Sequence, residues 1–137
     1  MLRWLGIRLR RIVDSRRPPP QAAGAAAEAR AARLLQRYGA RVLARNVRCR
    51  GGEIDLVVND RGTIAFVEVR YRSGDSHGGA AASITPGKQA RIVRAARYWL
   101  ATEGHDQAHR ACRFDALVFE HGGRGPANWL RGAFDAE

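Results

Sequence analysis

The chain has 137 residues, 45% of them hydrophobic, which fits a single globular domain with one packed core. Its 24 basic and 13 acidic residues give a formal net charge of +11, which predicts attraction to polyanions but says nothing about the fold. No stretch approaches the roughly 20 apolar residues of a membrane span, and Cys49 and Cys112 form no CxxC or Cys/His cluster. We therefore expect a cytoplasmic protein without structural zinc.

The basic residues are arginines except for Lys88, a bias that a GC-rich genome can produce without any functional cause. Residues 1–20 are predicted to be a partly ordered basic appendage, because apolar and basic side chains alternate there and three consecutive prolines end the segment. Contact with nucleic acid or with a membrane surface is the alternative role for this appendage. We expect the folded domain to span residues 21–121, and residues 122–137 to form a glycine-rich tail that could dock through Trp129 and Phe134.

An alanine-rich helix is predicted over residues 21–38, with Gly39 as its C-cap. Glu28 lies at the edge of the apolar stripe of this helix, where a carboxylate needs a partner. Strands are predicted over residues 41–48, 53–59, 63–71 and 113–120, because each of these segments is a hydrophobic run bounded by turn signals. A second helix begins at Thr85-Pro86, as N-cap and first helical residue, and ends near residue 101.

The hairpin of residues 53–71 carries the most informative pattern. If opposed residues sum to an odd number, Ile54, Leu56 and Val58 share one apolar face with the valines of the other strand. Hydrophobic burial selects this register, because a slip of one residue would mix carboxylates into the apolar face. The opposite face then holds Asp55, Glu68 and Arg70 together, with Glu53 beside them.

Carboxylates on adjacent strands repel one another, so something must hold them. A hard divalent cation could bind their oxygens and keep water positions for a phosphate. Arg70 and its neighbours could instead neutralise them in a structural ion network. The hairpin alone does not decide between these two interpretations.

The motifs at residues 52–56 (GEIDL), 66–72 (FVEVRYR), Lys88 and 113–115 (RFD) closely resemble the YraN-like family of small bacterial proteins. The resemblance covers about residues 22–120. It implies the restriction-endonuclease-like fold of the PD-(D/E)xK nuclease superfamily, shared with archaeal Holliday-junction resolvases. The expected architecture is therefore α/β, a mixed four- to five-stranded sheet flanked by helices in the order α-β-β-β-α-β.

The resemblance also implies a site. Asp55 and Glu68 are expected as ligands of Mg²⁺ or Mn²⁺, and Glu28 matches the helix glutamate that joins the site in resolvase-like relatives. Arg70 stands where the superfamily has lysine, so it can supply only electrostatic stabilisation, and Lys88 is the candidate for the missing amine. From its position after Arg113, and not from the resemblance, Asp115 is expected to form a structural ion pair with Arg113, the alternative being a metal ligand.

The function expected from these residues is metal-dependent hydrolysis of phosphodiester bonds by an endonuclease acting on nucleic acid, with DNA favoured over RNA. Arg72, Lys88, Arg91 and Arg94 are expected to contact the phosphate backbone. Resolvase-like relatives act as dimers, so a homodimer is one candidate assembly. A non-catalytic nucleic-acid-binding protein that retains the fold, favoured by Arg70, and an interaction or scaffold protein remain the alternatives.

Overall fold

The computed structural model describes residues 20–72, 84–123 and 125–136. The elements in chain order are α1 (Pro20–Arg37), β1 (Arg41–Cys49), β2 (Gly52–Asp60), β3 (Thr63–Tyr71), α2 (Pro86–Ala101), β4 (Cys112–Phe119) and β5 (Ala127–Phe134). The strands form one mixed five-stranded sheet in the order β1-β2-β3-β4-β5. This is an α/β protein that fits the restriction-endonuclease-like fold, as the resemblance implied.

One pair of neighbouring strands in the sheet is parallel, and the other three pairs are antiparallel. β1, β2 and β3 form an antiparallel meander, β3 and β4 are parallel, and β4 and β5 are antiparallel. A parallel pair needs a crossover connection, and α2 lies in the crossover between β3 and β4. The carboxyl-terminal ends of β3 and β4 therefore meet at the same edge of the sheet.

Each face of the sheet buries one hydrophobic cluster. α1 covers one face through its small buried side chains Ala31 and Ala32 and through Leu35. α2 covers the other face, where Ile92 and Trp99 pack with apolar side chains of the strands. Both faces are buried, so the central strands are nearly continuous apolar runs.

The local signals that bound the two helices act as the sequence predicts. Thr85 caps α2, because its Oγ1 accepts a hydrogen bond from the backbone nitrogen of Lys88 at 3.2 Å. Gly39 has a φ of 92° after α1, and the nitrogen of Ala40 reaches back to the oxygen of Leu35 at 3.0 Å. These caps fix where each helix meets the sheet.

The predicted register of the central hairpin is confirmed. Leu56 pairs with Val67 and Val58 pairs with Ala65, so every opposed pair has an odd sum. The prediction for Ile54 is wrong, because this side chain packs on the α2 face instead of beside Leu56. The β2–β3 pairing stops at Leu56, and the start of β2 pairs only with β1, where Ile54 lies opposite Val47. Strict alternation along β2 fails at this departure.

β5 lies within the segment that was expected to form a tail. It pairs with β4 and leaves β1 and β5 as the two edges of the sheet. The predicted appendage of residues 1–20 lies outside the described residues except for Pro20, and most of the glycine- and serine-rich segment before α2 also lies outside them. Within the described ranges, no helix is long and apolar enough to cross a membrane.

A buried ion network fastens β5 to the sheet. Asp115 is fully buried and accepts hydrogen bonds from Arg113 Nε at 2.9 Å, Trp129 Nε1 at 2.9 Å and the nitrogen of Gly132 at 3.0 Å. Arg113 also pairs with the buried carboxylate of Asp60. The prediction of an Asp115–Arg113 ion pair is confirmed, and the hydrogen bonds of this aspartate connect β4 to β5.

Gly52 permits the closest approach between β2 and α2. A Cβ atom at this position would lie 2.7 Å from the backbone oxygen of Arg91 and 2.9 Å from the backbone nitrogen of Ala95. The backbone of a packed helix can move away from an added methyl group only at a cost in free energy. We therefore expect Gly52→Ala to lower the free energy of unfolding by about 1–3 kcal/mol. Urea denaturation monitored by circular dichroism measures this change.

The matched control is Gly87→Ala in the first turn of α2, where an added Cβ meets no atom within 4 Å. We expect this control to raise the free energy of unfolding by about 0.4–1 kcal/mol, because alanine restricts the unfolded chain. Equal stabilities for the two variants would contradict the close approach.

Candidate active site

Asp55 and Glu68 converge under the amino-terminal end of α2. Asp55 lies at the point where β2 leaves β3, and its Oδ2 accepts a hydrogen bond from the backbone nitrogen of Val69 at 2.8 Å. The Asp55 side chain is therefore the acceptor for the Val69 backbone N–H, in the place of a backbone carbonyl group of the neighbouring strand. Glu68, on β3, is only 5% exposed and lies within hydrogen-bonding reach of the Asp55 carboxyl group. The structure thus brings together the pair that the hairpin pattern predicted.

Burial dominates the protonation of Glu68. Burial is the largest cause that raises the pKa of this carboxyl group, followed by the charge of Asp55 and the hydrogen bond with Asp55. Lys88 and Arg70 lower the pKa, and the net result of all these effects is a value of about 8. In the metal-free protein at neutral pH, Glu68 therefore holds a proton much of the time. That proton relieves a repulsion that a bound cation could relieve equally well.

Lys88 bridges two carboxylates from the first turn of α2. Its Nζ lies 2.9 Å from Glu53 Oε1 and 3.5 Å from Glu68 Oε2. Burial lowers the pKa of Lys88, but the hydrogen bond to Glu53 and the charges of Glu68, Glu53 and Asp55 outweigh burial and raise it. Lys88 is consequently a permanent cation at neutral pH, suited to stabilising negative charge and unsuited to accepting a proton.

The Lys88 contact also sets the state of Glu53. The hydrogen bond from Lys88 is the largest cause that lowers the pKa of Glu53, against desolvation. Arg48 on β1 approaches the same carboxylate, with its NH1 atom 3.5 Å from Glu53 Oε2. Sequence analysis placed Glu53 beside the pair but missed Arg48. The signal was available, because the tight turn at residues 50–51 sets Arg48 opposite Glu53 in the β1–β2 register.

Arg70 stands at the rim of the pair. Its NH1 atom is 3.8 Å from Glu68 Oε2, and a third of its side chain is exposed. Lys88 approaches the same oxygen more closely and is less exposed. The lysine of α2 therefore lies nearer the buried carboxyl group than the arginine that occupies the motif position does.

Two carboxylates with adjacent cations can still suit a hard divalent ion. Mg²⁺ typically binds through one or two carboxylates and retains several water ligands, and Asp55 and Glu68 offer that donor set. Glu28 lies half-buried on α1. Among the described residues, no group of three or more His, Cys, Asp or Glu side chains is placed to hold a metal ion, so the role of Glu28 as a third ligand remains a prediction.

The predicted phosphate-contacting arginines have different surroundings. Arg91 and Arg94 are exposed on α2, and the side chain of Arg94 lies beside Gly51 in the β1–β2 turn. Arg72, just after β3, is paired with Glu120, with 3.5 Å between Arg72 NH1 and Glu120 Oε1. Arg91 and Arg94 therefore offer open positive charge one and two helical turns from Lys88, whereas the charge of Arg72 is partly neutralised.

The raised pKa of Glu68 predicts a pH dependence of stability. The folded state binds more protons than the unfolded state between the ordinary value of 4.5 and about 8, so stability falls as the pH rises through this range. The slope reaches at most about 1.4 kcal/mol per pH unit for one proton. Because Glu68→Gln removes the titration, its stability advantage over the wild type should widen from pH 5 to pH 8.

Urea denaturation in a chelating buffer at several pH values provides the measurement. Asp106→Asn on an exposed turn serves as the control, and its pH profile should parallel that of the wild type. Parallel profiles for the wild type and Glu68→Gln would show that Glu68 ionises normally.

The chain is similar to proteins of one bacterial family. The model of "Uncharacterised protein family UPF0102" matches residues 27–119. A protein of this family from Bordetella avium is 55% identical over 120 residues, which cover 87% of this chain and 79% of the relative. Another from Cupriavidus taiwanensis is 49% identical over 130 residues, covering 94% and 95%, and one from Pseudomonas putida is 49% identical over 119 residues, covering 85% and 95%. The chain therefore belongs to UPF0102, the family of YraN-like proteins whose motifs the sequence resembles.

Proposed function

We propose that this protein is a metal-dependent endonuclease that hydrolyses phosphodiester bonds in nucleic acid. The observation that carries the proposal is the buried Glu68 carboxyl group, whose pKa is raised to about 8 beside Asp55. Titratable groups with strongly shifted pKa values cluster at functional sites. A surface ion network would leave both carboxylates hydrated and paired.

The donor chemistry supports Mg²⁺ or Mn²⁺ at Asp55 and Glu68. A bound divalent ion would supply a polarised phosphate oxygen and a water molecule of lowered pKa. The two side chains are already held for this task, Asp55 by the backbone nitrogen of Val69 and Glu68 by its burial in β3. A site built on strands is held more precisely than one on loops.

Lys88 and Arg70 provide the fixed positive charge that the reaction needs. Both contact Glu68, and both stay protonated at neutral pH, Lys88 because of its acidic neighbours and Arg70 because guanidinium does not deprotonate in proteins. Cations held in place stabilise the negative charge that accumulates on a phosphate during attack. Since neither can act as a base, the proton of the attacking water must leave to solvent or substrate.

The charge of the chain supports nucleic acid as the substrate class. The net charge is +11, and Arg91 and Arg94 extend exposed positive charge along α2 away from Lys88. Contacts of this kind position a phosphate backbone without reading its sequence. We propose DNA as the first substrate to test and a homodimer as a candidate acting form, both on the family resemblance.

One observation favours a second candidate, a nucleic-acid-binding protein without efficient cleavage. Arginine stands at position 70, and Lys88 is held by Glu53 at 2.9 Å. A lysine held by a carboxylate can be unavailable to the substrate. The variants below separate the two candidates.

Asp55→Asn should abolish cleavage while leaving nucleic-acid binding in place. We expect a loss of at least about 100-fold in Mn²⁺-dependent cleavage of branched, single-stranded or duplex DNA, because an amide is a poorer ligand than a carboxylate. Fluorescence-labelled DNA resolved by electrophoresis measures the rate, with Asp106→Asn as the matched control on an exposed turn. Salt-sensitive binding by a wild type that cleaves none of the substrates would instead identify the non-catalytic candidate, and absence of binding would favour the scaffold.

Lys88→Met tests whether the α2 lysine stabilises the transition state. We expect kcat to fall on the order of 100-fold in Lys88→Met and to be largely retained in Lys88→Arg, which preserves the positive charge. Both variants remove the lysine amine, so loss in both would show that charge alone is insufficient. Undiminished cleavage by Lys88→Met would exclude Lys88 from the reaction.

A further inference from the structure

A basic groove lies on the α1 side of the sheet, away from the α2 helix. It has a volume of about 280 Å³, and its walls are formed by Arg30, Arg33 and Arg37 of α1. Phe119 at the end of β4 and Ala127 at the start of β5 also line the groove. The three arginines lie three and four residues apart, so they share one side of the helix.

Arg30 is fixed in place as part of the wall. Its NH2 atom donates a hydrogen bond to the oxygen of Gly123 at 3.0 Å, and its guanidinium lies 5.0 Å from the ring centroid of Phe119. Gly123 has a φ of 91°, and a Cβ there would lie 2.7 Å from Tyr71 and 2.9 Å from Arg30. The β4–β5 connection therefore closes tightly against Arg30, and the groove has a defined shape.

Arg33 and Arg37 are exposed, as Arg30 is, but no carboxylate among the described residues forms an ion pair with either of them. Glu120, near the same end of the sheet, is paired with Arg72. Like charges four residues apart on a helix destabilise it by tenths of a kcal/mol, and a bound anion removes that repulsion. The groove is thus suited to a phosphate group, which accepts bidentate hydrogen bonds from guanidinium.

The sheet register relates the groove to the candidate active site. In the parallel pair, Glu68 lies beside Ala116 and Tyr71 lies beside Phe119. The groove floor is therefore displaced from Glu68 by about 10 Å along the strands, toward the carboxyl-terminal ends of β3 and β4. A polynucleotide that leaves the α2 side over this edge of the sheet arrives at Arg33 and Arg37.

We propose that Arg33 and Arg37 bind a backbone phosphate of the same nucleic-acid strand whose scissile phosphate occupies the Asp55–Glu68 site. The inference rests on the proposed function and extends it with a second anchoring point on the opposite face of the sheet. Two anchors on opposite faces require the nucleic acid to bend around the edge of the sheet. A single-stranded or unpaired segment can bend in this way, whereas a straight duplex cannot.

The test compares two double variants that remove equal charge. Arg33→Gln/Arg37→Gln removes the positive charges of these two arginine side chains from the groove. Arg61→Gln/Arg110→Gln removes the charges of two exposed arginines at the other end of the sheet. Binding of labelled single-stranded DNA is measured between 50 and 300 mM salt in a chelating buffer, so that no cleavage occurs. Hydrolysis of bis(p-nitrophenyl) phosphate with Mn²⁺ by the wild type reports separately on the proposed catalysis.

We expect Arg33→Gln/Arg37→Gln to weaken binding about tenfold and to reduce the slope of log affinity against log salt by about 0.7, the value for one phosphate contact on a single strand. The control pair should change the slope by less than half as much. Equal slopes for the two pairs would overturn the inference while leaving the proposed nuclease intact. A wild type that binds DNA but hydrolyses no diester would overturn catalysis, and the slopes would still decide the groove. Failure of the wild type to bind DNA would overturn both.

Discussion

The close approach of two carboxyl groups that are withheld from water is the constraint on which the candidate site depends. Asp55 and Glu68 lie side by side where β2 parts from β3, and Glu68 is almost completely buried. The protein meets the electrostatic cost partly with a proton and partly with Lys88. This arrangement costs free energy in the resting protein, and arrangements of this kind cluster at functional sites.

The second ion network of the protein provides a contrast. Asp115 is more deeply buried than Glu68, yet it accepts hydrogen bonds from a guanidinium, an indole and a backbone nitrogen. Arg113 lies beside it on β4, and Trp129 and Gly132 donate to it from β5. Asp55 accepts one hydrogen bond from the backbone nitrogen of Val69, and Glu68 has the partly exposed cations Lys88 and Arg70 beside it. Asp115 serves the fold, and the Asp55–Glu68 pair is where we propose that a divalent cation binds.

Much of the arrangement follows from sequence because it depends on local chemistry. The odd register of the central hairpin follows from burying Leu56, Val58 and Val67, and the start of α2 follows from Thr85-Pro86. The position of Ile54 could not be predicted in this way, because strict alternation assumes that a strand stays paired along its whole length. The departure of β2 depends on a tertiary contact, the Asp55 carboxylate on the nitrogen of Val69, which no periodicity encodes.

The fifth strand escaped prediction for a related reason. Its residues carry glycine at position 132 with a φ of 66° and little alternation, and its hydrogen-bond partners lie on β4. The match to the family model ends at residue 119, yet Trp129 and Gly132, which lie beyond it, donate hydrogen bonds to Asp115. The indole of Trp129 and the backbone nitrogen of Gly132 therefore tie β5 to the buried aspartate of β4. Without β5, the fully buried carboxylate of Asp115 would keep Arg113 as its one remaining partner among the described residues, so the last strand completes the core and does not merely extend the sheet.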